Sequence, residues 1–89
     1  MNSLTVKSFR QLFHSLPKDV RRQARQALLI FRRAPFDPRR QFKEIRSRKG
    51  WWSVRVDGGY RAPGLRQGDT VTWFWIGNHD DYLRKIGKK

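Results

Sequence analysis

Eighty-nine residues suffice for one domain and are too few for two independent cores. Twenty-one Lys and Arg against seven Asp and Glu leave a net charge of +14, so the expected partner is an anion, either nucleic acid or an acidic protein. The absence of cysteine excludes a disulfide scaffold, a Cys-based zinc site and a thiol nucleophile, and fits a reducing compartment. No apolar run approaches the ~20 residues of a membrane span, and the polar N-terminus carries no signal-peptide apolar stretch. The expectation is one cytoplasmic domain over residues 1–89, with no membrane partner, built on an aromatic core of Trp, Phe and Tyr.

Leu4-Thr5-Val6 is a candidate edge strand. Ser8-Phe9-Arg10-Gln11 reads as a capping box opening the first helix, and Phe9, Leu12, Phe13 and Leu16 recur at helical spacing as its buried stripe. Pro17 ends that helix and suits the start of the next, whose core face is Val20, Ala24, Ala27, Leu28 and Phe31. Ala34-Pro35 and Asp37-Pro38 stop it, and the short link between the two predicts an antiparallel helical hairpin.

From residue 41 the period becomes alternating. Gln41 to Ile45 is a short candidate strand, and Trp51 to Val56 a stronger one, with Trp52, Val54 and Val56 on one face and Trp51, Ser53 and Arg55 on the other. Asp57-Gly58-Gly59 signals a hairpin turn into Tyr60 to Leu65, a strand expected to be shortened or distorted by Pro63 and Gly64. Gln67-Gly68-Asp69 makes the next turn, and Thr70 to Ile76, apolar on both faces, is expected near the sheet centre. After the Gly77-Asn78 break, His79 to Ile86 forms a short helix with acids first and bases last. The predicted class is α+β: a helical hairpin on one face of a small, mainly antiparallel four-stranded sheet, with a possible extra N-terminal edge strand.

Arg39, Arg40, Lys43, Arg46, Arg48 and Lys49 surround a single acid, Glu44, and Arg55 and Arg61 follow on the paired strands. That density of cations along one hairpin suits a phosphate backbone, although a solvated basic surface would look the same. Trp51 is the best candidate for stacking on a nucleobase, because the alternation turns Trp52 to the opposite face. Trp73 and Trp75 are assigned to the core instead.

Of the two histidines, His14 lies beside the first helix's apolar stripe and reads as surface or boundary. His79 follows the Gly-Asn break with Tyr82 three residues on, nearly the same side of a helical turn. An imidazole moves protons near neutrality, a phenol donates to phosphate oxygen, and guanidiniums at Arg55 and Arg61 clamp phosphate while staying charged. Together these would cleave RNA without a metal, by attack of the 2′-hydroxyl on the adjacent phosphorus. Lys43 would supplement the clamp, and Glu44 is a weaker base candidate, the alternative being that it simply pairs with a neighbouring arginine. The competing reading is a helix-capping surface cluster of His79, Asp80 and Asp81, with Tyr82 buried against Leu83 or Ile86. No metal site or cofactor is expected, since adjacent side chains rarely converge on one ion and no phosphate-cradling, zinc or dinucleotide motif occurs.

Phe9, Leu16-Pro17, Val20-Arg21, Phe42-Lys43, the run Trp52 to Val56, Tyr60-Arg61-Ala62, Gly68-Asp69 and the run Trp73 to Gly77, with His79 and Tyr82, resemble the RelE/ParE superfamily of toxins from bacterial type II toxin–antitoxin modules. The likeness spans about residue 5 to residue 86. It implies the same helical hairpin on an antiparallel sheet and a cognate antitoxin as partner. RelE-like members are metal-independent endoribonucleases acting on ribosome-bound mRNA, whereas ParE-like members poison DNA gyrase. Lys43, Arg46, Arg55, Arg61, His79 and Tyr82 match the ribonucleases in type, with Pro63 and Leu83 departing from the usual pattern. The expectation is therefore an mRNA endoribonuclease with catalytic His79, Tyr82, Arg61 and Arg55, binding RNA through Lys43, Arg46, Arg48, Lys49 and Trp51. A gyrase inhibitor without nuclease activity, or an inactive binding relative, is the alternative.

Overall fold

Alternation at residues 51–57 makes one of the inner strands of the sheet. In the computed structural model, which describes residues 1–87, the chain runs β1 (Asn2–Thr5), α1 (Lys7–His14), α2 (Lys18–Arg33), a 3₁₀ turn (Pro38–Arg40), β2 (Lys43–Glu44), β3 (Trp51–Asp57), β4 (Tyr60–Gln67), β5 (Thr70–Trp73), β6 (Gly77–Asn78) and α3 (His79–Lys85). The sheet order is β1-β5-β4-β3-β2, with β6 pairing the start of β4. Only β1 runs parallel to its neighbour; every other pair is antiparallel.

One face of the sheet carries the helical hairpin. Val20, Ala24, Ala27 and Phe31 of α2 are buried, as the spacing predicts, and the two alanines let the helix approach the strands closely. Phe31 meets Phe42 at 4.7 Å and Trp73 at 5.2 Å between ring centroids, both edge-to-face, the arrangement the ring quadrupoles favour. Phe9, Val54, Val56, Ala62, Val71 and Ile76 complete this core. Trp73 is fully buried, and its indole N–H donates to the Ser3 hydroxyl of β1 at 2.7 Å, so the deepest aromatic leaves no donor unpaired. On the opposite face α3 buries Tyr82 and Ile86 against Ile45, with Trp51, Trp75 and Leu83 around them.

Four local expectations change. The first helix starts at Lys7, with Val6 at its N-cap and no side-chain cap. Ser8 is inside the helix and its hydroxyl donates to the Phe74 carbonyl at 3.2 Å, a tertiary bond that replaces the capping box. The predicted strand from Gln41 contracts to Lys43–Glu44, because Gln41 adopts a left-handed backbone, φ 47°, at the end of the 3₁₀ turn. The predicted strand Thr70 to Ile76 ends at Trp73 and lies between β1 and β4, one place from the sheet edge. Val71, Trp73 and Ile76 face the main core while Phe74 packs on Trp51 and Trp75 on the second cluster. Two consecutive residues therefore point outward, and this break is what made the segment look apolar on both faces. β6 resumes pairing beyond it.

Pro63 neither shortens nor breaks its strand: β4 continues through Gln67. Within an antiparallel strand a residue's N and O point to the same side. The Pro63 carbonyl accepts from Phe74 N at 3.4 Å, so the ring nitrogen also faces the gap between β5 and β6, where no ladder bond is required. Gly64 is there for space, since a Cβ would lie 2.6 Å from both Trp73 Cε3 and Val71 Cγ1. No helix among the described residues is long and apolar enough to cross a membrane.

Gly64→Ala is expected to lower stability by about 1–3 kcal/mol through this overpacking, read as a fall in thermal midpoint. A second expectation concerns the 3₁₀ turn. Asp37 accepts from the Arg39 backbone N–H at 2.9 Å and from its guanidinium at 3.1 and 2.8 Å, and the guanidinium above all holds the carboxyl at about 2 against an ordinary 3.8. Because the folded value is the lower one, whatever stability the contact adds is complete above the ordinary value and disappears as pH falls through about 2. Carbon-detected NMR titration should show that midpoint in the wild type and a rise toward the ordinary value in Arg39→Ala.

Candidate active site

The start of α3 is pinned by three local contacts. Asn78 caps it, its side-chain oxygen accepting from Asp81 N at 2.9 Å, while Asp80 and Asp81 complement the positive end of the helix. β6 pairs Gly77 with Arg61 and Asn78 with Tyr60, and His79 N donates to the Gly59 carbonyl at 2.8 Å. The helix therefore begins beside Arg61 of β4. His79 and Tyr82, one turn apart, have ring centroids 6.3 Å apart with 30° between their planes. Tyr82 is buried and His79 exposed, and the Arg61 guanidinium carbon lies 5.9 Å from the Tyr82 ring centroid.

These groups border an open cleft of about 430 Å³ between α3 and the sheet. Lys43 and Arg46 enter it from β2 and the loop after it, Ser53 from β3, and Arg61, His79 and Tyr82 from β4 and α3; Ile45, Leu83 and Ile86 supply its apolar lining. Glu44 also borders the cleft, but its carboxylate accepts from Gly50 N at 2.9 Å and braces the loop leading into β3.

Lys43, Arg46, Arg61, His79 and Tyr82 thus come together, and four other sequence-predicted site residues do not line the cleft. Arg55 is the cross-strand partner of Arg61 and so projects from the same face, yet its Nε donates to the Asp57 carbonyl at 3.3 Å, toward the hairpin turn. Arg48 donates from Nε to the Ile86 carbonyl at 3.3 Å and covers the Trp51 ring at 5.2 Å. With Phe74 against it at 4.8 Å, half-buried Trp51 is packed between a guanidinium and a phenyl ring. Lys49 is exposed on the same loop.

Two cleft-associated residues were not singled out from the sequence. Ser53, only 2 % exposed, sits on the cleft floor, a place its parity with Trp51 and Arg55 would have indicated. Gln41 accepts from Arg61 Nη2 through its side-chain oxygen, drawing that guanidinium across β3. It is the one non-glycine described residue with positive φ, and no local signal marks a glutamine for that conformation.

Residues 18–84, from the start of α2 almost to the end of α3, match the family model of the ParE-like toxin domain. The chain belongs to that family. No curated protein gives a significant sequence match. The toxin domain's fold is shared by solved structures at low identity. A chain of the RelB–RelE antitoxin–toxin complex of Methanococcus jannaschii superposes with a TM-score of 0.74 at 16% identity, covering 92% of this chain and 96% of that one. YafQ of E. coli gives 0.73 at 9% identity, with 92% and 97% covered. A chain of the RelBE2 toxin–antitoxin complex of Mycobacterium tuberculosis gives 0.61 at 23% identity, with 88% and 90% covered. The RelE/ParE resemblance read from the sequence holds at the level of family and fold.

Asn78→Ala is expected to cost about 1 kcal/mol by removing the cap of α3. Because that helix carries His79 and Tyr82, hydrogen exchange should accelerate first at the amides of α3 and leave α2 protected.

Proposed function

We propose that this domain is the toxin of a toxin–antitoxin pair and a metal-independent endoribonuclease acting on ribosome-bound mRNA. The observation that carries the reading is the convergence of Arg61, His79 and Tyr82 with Lys43 and Arg46 on one open cleft. The ribose 2′-oxygen attacks the adjacent phosphorus in line as its proton leaves, the bond from phosphorus to the 5′-oxygen breaks, and that oxygen takes up a proton. The products are a 2′,3′-cyclic phosphate and a free 5′-hydroxyl. Exposed His79 is the group suited to carry one of these protons. Arg61, tethered by Gln41 and lying by the Tyr82 ring, holds the phosphate whose charge grows in the transition state. Lys43 and Arg46 track the backbone, and positioning with electrostatics supplies the rate.

The antitoxin partner follows from charge and from relatives. A net charge of +14 on 89 residues favours rapid capture by an acidic chain, and the superposable RelE and YafQ proteins occur in complexes named RelB–RelE and DinJ–YafQ. The family's ParE-like description favours a second reading, inhibition of DNA gyrase through the basic surface with no nuclease step.

Toeprinting on translating ribosomes separates the two. Wild-type protein is expected to cut message and leave cyclic or 3′-phosphate ends, with His79→Ala slower by about 10²–10⁴-fold and Arg61→Ala by about 10²–10³-fold, both still folded. Intact message together with blocked supercoiling by purified gyrase would assign the domain to the second reading. Full cleavage by His79→Ala would remove the imidazole from the mechanism.

A further inference from the structure

Phe36 is the most exposed large apolar side chain among the described residues, at 61 %. It does not stand alone. Its ring centroid lies 5.6 Å from that of Phe42, which lies 4.8 Å from that of Trp52. The Arg66 guanidinium carbon sits over this group, 4.5 Å from the Trp52 centroid and 5.9 Å from those of Phe36 and Phe42. Phe42 is buried and already packs edge-to-face on Phe31, so the Phe36 ring is an addition outside the core. Single exposed apolar side chains are ordinary on a surface, but rings grouped around a guanidinium make a flat polarised patch.

A stiff loop presents the ring. Pro35 and Pro38 flank it, Asp37 N donates to the Ala34 carbonyl at 3.1 Å, and the Asp37 carboxylate is tied to Arg39. Little conformational freedom is left to lose on binding. Arg66 Nε donates to the Gly68 carbonyl at 3.0 Å, which leaves the Nη donors of the fork for a ligand. The ion pairs among the described residues do not include Arg66. An aliphatic partner would cover the rings and leave those donors unmatched, and a lone carboxylate would match the donors and leave the rings bare. A nucleobase does both, with a π-face for Phe36 and acceptors on its edge for the guanidinium. The net charge of +14 draws in the strand that carries it.

We infer that Phe36 and Arg66 form a platform for an unpaired RNA base, on a segment of RNA other than the one in the cleft. Register sets the two places apart. Arg66 shares the parity of Gly64 and Ala62, so with Trp52 and Val54 it belongs to the sheet face under the helical hairpin. Arg61, of opposite parity, enters the cleft beneath α3. The sheet therefore lies between platform and cleft. The inference takes from the proposed function only that the partner is RNA, and it needs no cleavage step.

The test is an NMR titration of the full chain with uncleavable 2′-O-methyl hexaadenylate, with an abasic strand of equal charge, and with hexaglutamate. Hexaadenylate is expected to move the Phe36 ring protons upfield, as a stacked base would, together with the Arg66 Nε–H; the abasic strand should leave the Phe36 ring unmoved. Phe36→Leu, which keeps an apolar side chain and loses the π-face, should weaken binding read at the Arg66 Nε–H about tenfold. Shifts at Arg61 and His79 should titrate in that variant as in wild type, and Phe36→Trp should retain wild-type affinity at Arg66. Equal Phe36 shifts with the abasic strand overturn stacking in favour of charge alone, and an unchanged Arg66 titration in Phe36→Leu overturns the platform. Shifts at Arg61 and His79 with none at Phe36 and Arg66 overturn the platform and leave the nuclease reading standing. The converse pattern overturns the nuclease reading and leaves the platform. Hexaglutamate moving Phe36 and Arg66 where hexaadenylate does not overturns the inference in favour of an acidic protein contact.

Discussion

The register of β3 against β4 is the constraint on which the molecule depends. Val54 opposite Ala62 places one set of side chains under the helical hairpin, and Arg55 opposite Arg61, with Ser53 opposite Pro63, places the alternate set beneath α3. Because strand side chains alternate with period two, a slip of β3 by one residue would turn Arg55 into the aromatic core and Val54 out of it. The buried aromatics around Trp73 oppose such a slip, so the packing on one face of the sheet fixes which side chains stand on the other.

The cleft is made by attaching α3 to this ladder at one end. Gly77, Asn78 and His79 bond to the beginning of β4 and the hairpin turn, while Tyr82 and Ile86 pack on Ile45. A wedge results: apolar contact closes it along the helix, and Arg61, His79, Lys43 and Arg46 keep it polar where it opens. Gly77 leaves room for the Trp75 ring of the second cluster, since a Cβ there would lie 2.4 Å from it. Charge shapes the same region. Asp37 is engaged by Arg39, and Glu44, bonded to the Gly50 amide, is the single acid among the residues lining the cleft, outnumbered there by Lys43, Arg46 and Arg61. Such an excess of one sign works against the folded state and in favour of capturing an anion.

The helices, the hairpin at Asp57-Gly58-Gly59 and the two-faced strand at residues 51–57 were legible because each is a local period joined to a local stop. Ser8 misled because a hydroxyl near a helix start serves equally well in a tertiary bond, here to Phe74. Pro63 misled because the harm of a missing N–H depends on which side of the strand it falls, and only the neighbours β5 and β6 decide that. The run Thr70 to Ile76 misled because two apolar faces are produced as well by a break that turns the chain over as by a central strand.

By itself the sequence determined the class of fold, the cationic character and the pairing of His79 with Tyr82, since these follow from periodicity, composition and a three-residue helical spacing. Only the tertiary structure decided which cations meet. Arg61 enters the cleft and Arg55 turns toward the hairpin, although the two are partners on one ladder, because Gln41 and the Asp57 carbonyl draw their flexible side chains in different directions. Long side chains choose between near acceptors, as Arg55 does with Asp57, and distant ones, as Arg61 does with Gln41. The periodicity that places an arginine on a strand does not record that choice.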